Sequence, residues 1–344
     1  MGVRVGVIGA GLMGSTHVRL LSAYVSGAEV AAVSDALPSQ AERVAAECGV
    51  PVVHADPGEL IRDAAVDAVL VASPAATHAG FVRACLDAGK PVLCEKPLAA
   101  TADACREVVD AEVAGGRRLV QVGFMRRYDP GYADLKLRLD AGVVGPPVLV
   151  HCVHRNAAVS EGYTSEMLIV ESVVHEVDVV RWLLGREFTR VTVHAPRPTG
   201  LAAPGVRDPQ LVVLETESGV LVDVEIFVNA RYGYDIRCEL VGETGTLALA
   251  MPATVQVRRD GRDAVEVPAR YQERFAAAYA EELRAWVASV ADGRPTGPSA
   301  WDGYAAAAVC EAGVASLHGG GAVDVTLASR PDLYARSAEL IGQP

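Results

Sequence analysis

The sequence has few lysines, no long apolar run and no closely spaced pair of cysteines. No stretch reaches the ~18 to 20 apolar residues that a helix needs to span a bilayer, so we expect a cytoplasmic protein. The seven cysteines include no Cys-x-x-Cys pair, which excludes a zinc ribbon and argues against a secreted disulfide framework. We therefore expect reduced, buried thiols and no metal site.

Positive charge is also in deficit, because 31 Lys+Arg face 43 Asp+Glu and give a net charge of -12. The resulting field repels phosphate, so we predict no nucleic-acid partner and no anionic membrane partner. The composition, 51% hydrophobic and 22% charged, is that of a globular protein. At roughly 150 residues per domain, the length predicts about two domains.

The first half of the chain alternates short β-branched runs with amphipathic stretches, as βαβ units do. The predicted strands are Val3–Ile8, Glu29–Ser34, Val66–Val71, Pro91–Cys94 and Leu119–Val122. The predicted helices between them are Ser39–Cys48, His78–Ala88 and Thr101–Ala114, and each ends at a glycine. We therefore predict an α/β domain with a doubly wound parallel sheet over residues 1–123.

From about Val148 the pattern changes to one long helical segment, Ser165–Leu184, followed by strands with little helix between them. The predicted strands are Leu211–Thr216, Val220–Val228, Asp235–Val241, Thr246–Ala250 and Thr254–Arg258, and the predicted late helices lie near Arg274–Ala291 and Trp301–Leu317. We predict an α+β domain with a large, mainly antiparallel open sheet over residues 124–344.

A glycine motif directly follows the first predicted strand. Gly9-Ala10-Gly11-Leu12-Met13-Gly14 has the GxGxxG spacing, and we expect a helix to open at Ser15. In this context Gly9 makes the tight turn, Gly11 lets the backbone approach a pyrophosphate, and Gly14 allows close helix–strand packing. The helix N-terminus favours an anion even in an acidic protein. The motif therefore predicts a dinucleotide site.

Asp35 indicates which dinucleotide is bound. It ends the second predicted strand, about 20 residues after Gly14, where a carboxylate accepts hydrogen bonds from both ribose hydroxyls. A 2′-phosphate about 5 Å away would cost roughly 3 kcal/mol per charge pair at an effective dielectric of 20. No Arg or Lys follows in Ala36–Ser39 to offset that repulsion. We predict NAD rather than NADP.

Lysine is scarce enough to make one position informative. Lys90, Lys96 and Lys136 are the three lysines among 31 basic residues. Lys96 follows the predicted strand Pro91–Cys94 and so lies at the carboxyl edge of the sheet, where ligands bind in open α/β folds. A compact ammonium there can hydrogen-bond a reacting hydroxyl and stabilise its alkoxide character. The alternative is a surface lysine before a turn proline.

Polar residues recur within the predicted helix Ser165–Leu184. At intervals of four, three and four residues, one face of this helix carries Glu171, His175, Asp178 and Trp182. A second face, predicted to pack into the core, carries Val173, Val177, Val180 and Leu184. Histidine is the usual general base near neutral pH, and a neighbouring carboxylate can orient it. The alternative is a solvated polar face with a hydrogen-bonded histidine.

These motifs together resemble the Gfo/Idh/MocA oxidoreductases over nearly the whole chain. The likeness rests on Gly9–Gly14 with Asp35, on Glu95-Lys96-Pro97 and on His175-Glu176-Val177-Asp178. Longer runs resemble the inositol dehydrogenases of that family, namely Val122–Asp129, Val153–Asn156, Tyr163–Met167 and Asn229–Asp235. The resemblance implies a Rossmann domain, a substrate-binding and oligomerisation domain, and a homotetramer assembled partly through sheet faces.

The resemblance also implies NAD-dependent oxidation of one ring hydroxyl of a cyclitol, with myo-inositol and its 2-keto product as the expected pair. It implies catalytic roles for Lys96, His175 and Glu171. The cofactor contacts that it implies are Gly9, Gly11, Leu12, Met13, Gly14, Asp35, Ser73, Glu95, Lys96 and Met125. The substrate contacts that it implies are Lys96, Arg126, His154, Asn156, Glu171, His175 and Tyr234.

Glu171 departs from the family pattern, in which an aspartate usually stands four residues before the catalytic histidine. The extra methylene moves the carboxylate by about an ångström, which changes the hydroxyl or amine that it meets. A scyllo-inositol or aminocyclitol (inosamine) dehydrogenase is therefore an alternative. A catalytically silent NAD-binding sensor is an alternative of a different class, and turnover of a polyol distinguishes it from an enzyme.

Overall fold

The computed structural model describes residues 2–250 and 255–335, which form two compact units. Among these residues, the first unit comprises 2–123, 282–305 and 327–335, and the second comprises 124–250, 255–281 and 306–326. The sequence predicted a partition into 1–123 and 124–344. In the structure the segments 282–305 and 327–335 instead group with the first unit.

The first unit contains a parallel sheet with helices between its strands. Its elements are β1 (Val3–Ile8), α1 (Leu12–Ala23), β2 (Ala28–Ser34), α2 (Pro38–Cys48), β3 (Val52–Val53), α3 (Pro57–Arg62), β4 (Ala68–Val71), α4 (Ala75–Asp87), β5 (Val92–Glu95), α5 (Ala102–Ala114) and β6 (Val120–Gly123). The described strands pair in the order β3-β2-β1-β4-β5-β6. This order is the doubly wound arrangement predicted from the sequence.

Local chemistry fixes the ends of these helices. Proline opens α2 at its first position, and Gly49 closes it in the left-handed conformation with φ 71°. The Thr101 side chain caps α5 by accepting a hydrogen bond from the Ala104 N–H. The strands between the helices are almost wholly buried, as expected for a parallel sheet that is covered on both faces.

The second unit contains a mixed sheet. Its elements include α6 (Pro130–Asp140), β7 (Pro147–Arg155), α7 (Val174–Leu184), β8 (Phe188–His194), β9 (Gln210–Thr216), β10 (Leu221–Phe227), β11 (Asp235–Gly242), β12 (Gly245–Ala248), the hairpin of β13 (Gln256–Arg259) and β14 (Arg262–Val265), and α8 (Tyr271–Arg274). The helices α9 (Ala276–Asp292) and α10 (Ala300–Gly319) follow, and then β15 (Val323–Asp324). The seven-stranded sheet has the order β12-β11-β7-β10-β9-β8-β15 in the described residues. β7 and β10 run parallel, and the other neighbours in this sheet are antiparallel.

Core packing explains why part of α9 belongs to the first unit. Leu283, Trp286 and Val287 are buried in the same apolar cluster as Val5 and Leu70 of the parallel sheet. Burying a side chain of this size contributes about 1.5–3 kcal/mol, so the helix is held where its apolar face is covered. The sequence pattern predicted a late helix near Arg274–Ala291 but not the core that it covers.

The structure corrects several local predictions. Helix α1 begins at Leu12 and not at Ser15, and the predicted helix Ser165–Leu184 is a π-helical turn, Leu168–Val173, followed by α7. β13 and β14 form a hairpin of their own and do not extend the large sheet. The start of the predicted strand Thr254–Arg258 lies outside the described residues.

Two general features of the described residues bear on function. None of their helices has the length and apolar character needed to cross a membrane. Among the same residues, no group of three or more His, Cys, Asp or Glu side chains is placed to hold a metal ion.

Candidate active site

Two glycines of the GxGxxG motif, Gly9 and Gly11, lie between β1 and α1, and the third, Gly14, lies in the first turn of α1. Gly9 has φ +96°, and a Cβ there would come within 2.6 Å of the Ala72 backbone. A Cβ on Gly14 would lie 1.8 Å from the Gly9 carbonyl oxygen, whereas one on Gly11 would meet no atom within 4 Å. The fold itself therefore requires Gly9 and Gly14, while the space beside Gly11 fits a pyrophosphate at the start of α1.

Gly11→Ala and Gly14→Ala are expected to separate cofactor binding from folding. Without cofactor, Gly11→Ala should have the unfolding temperature of the unaltered protein. Its methyl group would occupy the space predicted for the cofactor's pyrophosphate and should therefore weaken NADH binding by roughly tenfold or more. Gly14→Ala should lower the unfolding temperature, because its methyl group overlaps the Gly9 carbonyl. Thermal unfolding and NADH fluorescence titration measure both effects. Unchanged NADH affinity in Gly11→Ala would contradict this assignment.

Asp35 follows β2 and accepts two backbone hydrogen bonds. Its Oδ2 accepts from the Ala10 N–H at 2.6 Å, and its Oδ1 accepts from the Leu37 N–H at 2.8 Å. The carboxylate therefore ties the glycine turn to the loop after β2. Each carboxylate oxygen has a second lone pair, so the half-buried Asp35 keeps acceptor capacity for ribose hydroxyls.

The other predicted cofactor contacts of the first unit follow the carboxyl ends of its strands: Leu12 and Met13 after β1, Ser73 after β4, and Glu95 and Lys96 at the end of β5. The buried His78 was assigned no role from the sequence. Its Nε2 lies 2.7 Å from the Ser73 carbonyl oxygen, and its Nδ1 lies 2.7 Å from that of Pro97. His78 thus joins the turn after β4 to the turn that carries Lys96.

Lys96 stands next to a buried hydrogen bond between a carboxylate and a histidine. Glu95 is 7% exposed, and its Oε1 lies 2.6 Å from Nε2 of His17 on α1. Burial by itself would raise the pKa of Glu95, but the hydrogen bond with His17 and the charge of Lys96 hold that pKa below its ordinary value. Glu95 Oε2 also accepts the Lys96 backbone N–H at 3.1 Å. The pair therefore fixes the backbone from which the Lys96 side chain extends.

In the second unit, Arg126 and His154 both contact a carboxylate whose role was not predicted from the sequence. Glu176 is 1% exposed, forms a short ion pair with Arg126, and lies 3.1 Å through Oε2 from His154 Nδ1. Arg126 Nη2 is 3.2 Å from the same nitrogen. One signal was present, because Glu176 interrupts the valines of an apolar helix, where a buried charge needs a partner.

Tyr234 closes this group on one side. Its ring centroid lies 5.7 Å from that of His154 in an edge-on arrangement, and burial raises the pKa of Tyr234 to about 12. The hydroxyl is therefore protonated at neutral pH and can both donate and accept. The predicted contact Met125 is buried in the 3₁₀ turn Met125–Tyr128. Asn156 follows β7, and its buried Oδ1 has no hydrogen-bond partner in the described part of the chain.

Glu171 and His175 do not share one regular α-helix, contrary to the prediction. Glu171 is half-buried in the π-helical turn, whose wider i→i+5 geometry alters the spacing of the side chains. His175 lies in α7, is 8% exposed, and has its ring centroid 6.5 Å from that of His154. One turn further on, Asp178 is buried in a bidentate pair with Arg127 and does not lie on a solvated face. The structure thus brings together one cluster of predicted residues, namely Arg126, His154, His175 and Tyr234. Asn156 lies after the end of β7, and Glu171 lies in the π-helical turn.

Comparison with known proteins identifies the family of the chain. The family model described as an oxidoreductase family with an NAD-binding Rossmann fold matches residues 3–124, and its C-terminal α/β domain model matches residues 136–325. Inositol 2-dehydrogenase 1 of Saccharopolyspora erythraea is 58% identical over 335 residues, covering 97% of this chain and 99% of that protein.

Two solved structures extend the comparison. The Lactobacillus casei myo-inositol dehydrogenase, solved with NAD(H) and myo-inositol, has a TM-score of 0.95 and 37% identity, covering 97% of this chain and 100% of that one. The scyllo-inositol dehydrogenase of the same organism has a TM-score of 0.86 and 24% identity, with 94% of this chain and 99% of that one covered, and so shows the fold alone. The matches at both ends of the chain and the high identity over nearly all of it make this protein a member of the Gfo/Idh/MocA family of NAD-binding oxidoreductases.

Proposed function

We propose that this protein is an NAD-dependent inositol dehydrogenase that oxidises myo-inositol at one ring carbon to the 2-keto product. The observation that carries the proposal is the likeness over 97% of the chain to proteins named for this activity, including one solved with NAD(H) and myo-inositol. The open space beside Gly11 and the acceptor Asp35 support NAD as the cofactor. Bound NAD would supply the hydride acceptor, nicotinamide C4.

The catalytic roles follow from the chemistry of three side chains. His175 takes the proton of the reacting hydroxyl as the ring carbon that bears this hydroxyl becomes a ketone, because an imidazole is a competent base near neutral pH. Lys96 holds the same oxygen and stabilises its negative character, and the Glu95–His17 pair fixes the backbone at that residue. Glu171 supplies a carboxylate that orients the histidine and lysine.

The remaining predicted residues bind cofactor or substrate. We assign Gly9, Gly11, Leu12, Met13, Gly14, Asp35, Ser73, Glu95, Lys96 and Met125 to the cofactor. Arg126, His154, Asn156 and Tyr234 are assigned to the cyclitol, together with Lys96, Glu171 and His175. The buried, unpartnered Asn156 Oδ1 supports this assignment, because such an acceptor is satisfied when a ring hydroxyl donates to it.

Glu171→Gln is expected to lower kcat on the best substrate by roughly tenfold or more while changing the unfolding temperature little. The substitution removes the charge at a half-buried position and keeps the volume of the side chain. Steady-state kinetics and thermal unfolding of the same preparation measure the two effects. Wild-type kcat in Glu171→Gln would place this carboxylate outside the reaction.

Glu171→Asp is the matched variant, because it restores the usual family residue. If the longer side chain suits a scyllo-inositol or aminocyclitol substrate, Asp should shift the isomer preference toward myo-inositol. If the unaltered protein already prefers myo-inositol, Asp should be nearly silent or mildly harmful. Specificity ratios measured on a panel of isomers distinguish these results.

We also propose a cytoplasmic homotetramer assembled partly through the open face of the seven-stranded sheet. Leu211 and Leu221 lie on that face with 39% and 45% exposure, and Leu149 and Val153 lie there half-buried. Several charged side chains on this face pair with one another, as Arg155 does with Glu225 at 2.6 Å. A face that combines exposed leucines with paired charged side chains suits contact with a second copy of the chain. Sedimentation equilibrium should give four chains per particle.

The activity is tested by NADH formation from a panel of inositol isomers, aminocyclitols and monosaccharides. The proposal predicts the highest kcat/KM with myo-inositol. A higher kcat/KM with scyllo-inositol or an inosamine would show that the proposed substrate is wrong and that the proposed reaction is right. NAD binding without turnover of any polyol would reject the enzyme and favour an NAD-binding sensor.

A further inference from the structure

Glu176 lies between two residues assigned to the cyclitol. Its Oε1 pairs with the Arg126 guanidinium, and its Oε2 lies 3.1 Å from His154 Nδ1. All three side chains are at least nine-tenths buried, and Arg126 also lies over the Phe275 ring, 5.5 Å from its centroid. Removing one charge of a buried ion pair leaves its partner uncompensated, so Glu176 controls the electrostatics of the whole group.

The hydrogen-bonding geometry also indicates which nitrogen of a neutral His154 carries the proton. Burial would raise the pKa of Glu176, but the Arg126 charge and His154 hold it below its ordinary value, so the carboxylate is ionised and can only accept. Arg126 can only donate, and both groups approach Nδ1. The bond to the ionised carboxylate is the stronger of the two, so Nδ1–H donates to Glu176 and Nε2 is the acceptor nitrogen.

We propose that Glu176 is the positioning residue that makes the pocket selective for one ring hydroxyl. It presents His154 as a hydrogen-bond acceptor, and it cancels the positive charge of Arg126 next to that acceptor. A hydroxyl that donates toward His154 is then recognised, and an analogue that lacks this hydroxyl leaves buried polar groups unpaired. This inference rests on the proposed function, and it names the feature of the substrate that the site recognises.

Asp178 provides a matched control on the same helix. It is buried to the same degree as Glu176, and it pairs with Arg127, the residue after Arg126, through bonds of 2.9 and 2.5 Å. Loss of either carboxylate should therefore destabilise the fold by a comparable amount. The two differ in these partners, because Glu176 pairs with Arg126 and His154, which are assigned to the substrate, and Asp178 pairs with Arg127, which is not.

The experiment compares kcat/KM for myo-inositol with kcat/KM for each of its monodeoxy analogues. The unaltered protein should discriminate against at least one analogue by about 100-fold or more, since a polar site rejects a substrate that lacks its hydrogen-bonding group. Glu176→Gln should reduce that ratio by about tenfold or more, Glu176→Asp should give an intermediate ratio, and Asp178→Asn should keep the ratio within about twofold. NADH affinity should not change in any variant.

The inference would be overturned if a folded Glu176→Gln variant had the same kcat/KM ratios as the unaltered protein for every analogue. That result would leave the proposed dehydrogenase function standing. If Glu176→Gln does not fold, His154→Gln tests the same point, because it removes the imidazole and keeps the Arg126–Glu176 pair. His154→Gln should lose the same discrimination, and retention of that discrimination would overturn the inference. Absence of turnover in the unaltered protein would instead reject the proposed function and the inference with it.

Discussion

Lys96→Ala and His175→Ala should each lower kcat by roughly 10² to 10⁴, the range expected for a positioned acid–base or charge-stabilising group. NADH affinity should change much less than kcat, because His175 is not among the assigned cofactor contacts and Lys96 is one of ten, while the glycine turn and Asp35 stay intact. Steady-state kinetics with myo-inositol and NADH titration measure the two quantities.

The chain offers matched controls for both substitutions. Lys136 pairs with Asp140 on the surface of α6, and His54 lies 3.0 Å from Asp63 in the first unit. Lys136→Ala and His54→Ala should leave kcat near that of the unaltered protein. Near-normal turnover in Lys96→Ala or His175→Ala would remove that residue from the mechanism.

The unaltered protein should prefer NAD to NADP by at least ~100-fold in kcat/KM, because the repulsion of about 3 kcal/mol exceeds the ~2.7 kcal/mol that this ratio requires. Asp35→Ser should reduce this preference for NAD over NADP. Asp35 also accepts the N–H groups of Ala10 and Leu37, so Ser should in addition weaken NAD binding by loosening the glycine turn. Comparable efficiency with both cofactors in the unaltered protein would refute the role of Asp35.

Asp35→Asn separates the two functions of this carboxylate. Asn keeps one acceptor oxygen for a backbone N–H and removes the charge that repels a 2′-phosphate. It should therefore narrow the cofactor preference with a smaller loss of NAD affinity than Asp35→Ser. Coupled measurement of kcat/KM and dissociation constants for both cofactors on both variants distinguishes repulsion from loop support.

Sequence patterns predicted the parallel sheet well, because its strands are short apolar runs separated by helices that end at glycine. Val3–Ile8 has the predicted bounds, and the other predicted strands of this sheet match to within two residues at each end. The start of α1 was predicted three residues late, because the last glycine of the motif was read as part of the turn although it lies inside the helix. Glycine preference alone does not distinguish these positions.

The second unit was harder to predict, because its decisive contacts join residues that are far apart in the chain. A π-helical turn leaves no mark in the apolar periodicity, so Glu171 and His175 were placed on one regular helix. Glu176 was visible in the sequence only as part of a motif and as a charge among valines, and its partners Arg126 and His154 come from a 3₁₀ turn and from β7. The parallel pairing of β7 with β10 likewise depends on tertiary packing that local sequence does not record.

Hydride transfer from myo-inositol that carries deuterium at carbon 2 is the most direct test of the central claim. The purified protein is incubated with this substrate and NAD, and the reduced nicotinamide and the cyclitol product are examined by NMR and mass spectrometry. The account predicts deuterium at nicotinamide C4 and an equimolar amount of the 2-keto product. Reduced cofactor without deuterium, or NAD binding with no reduced cofactor formed, would contradict it.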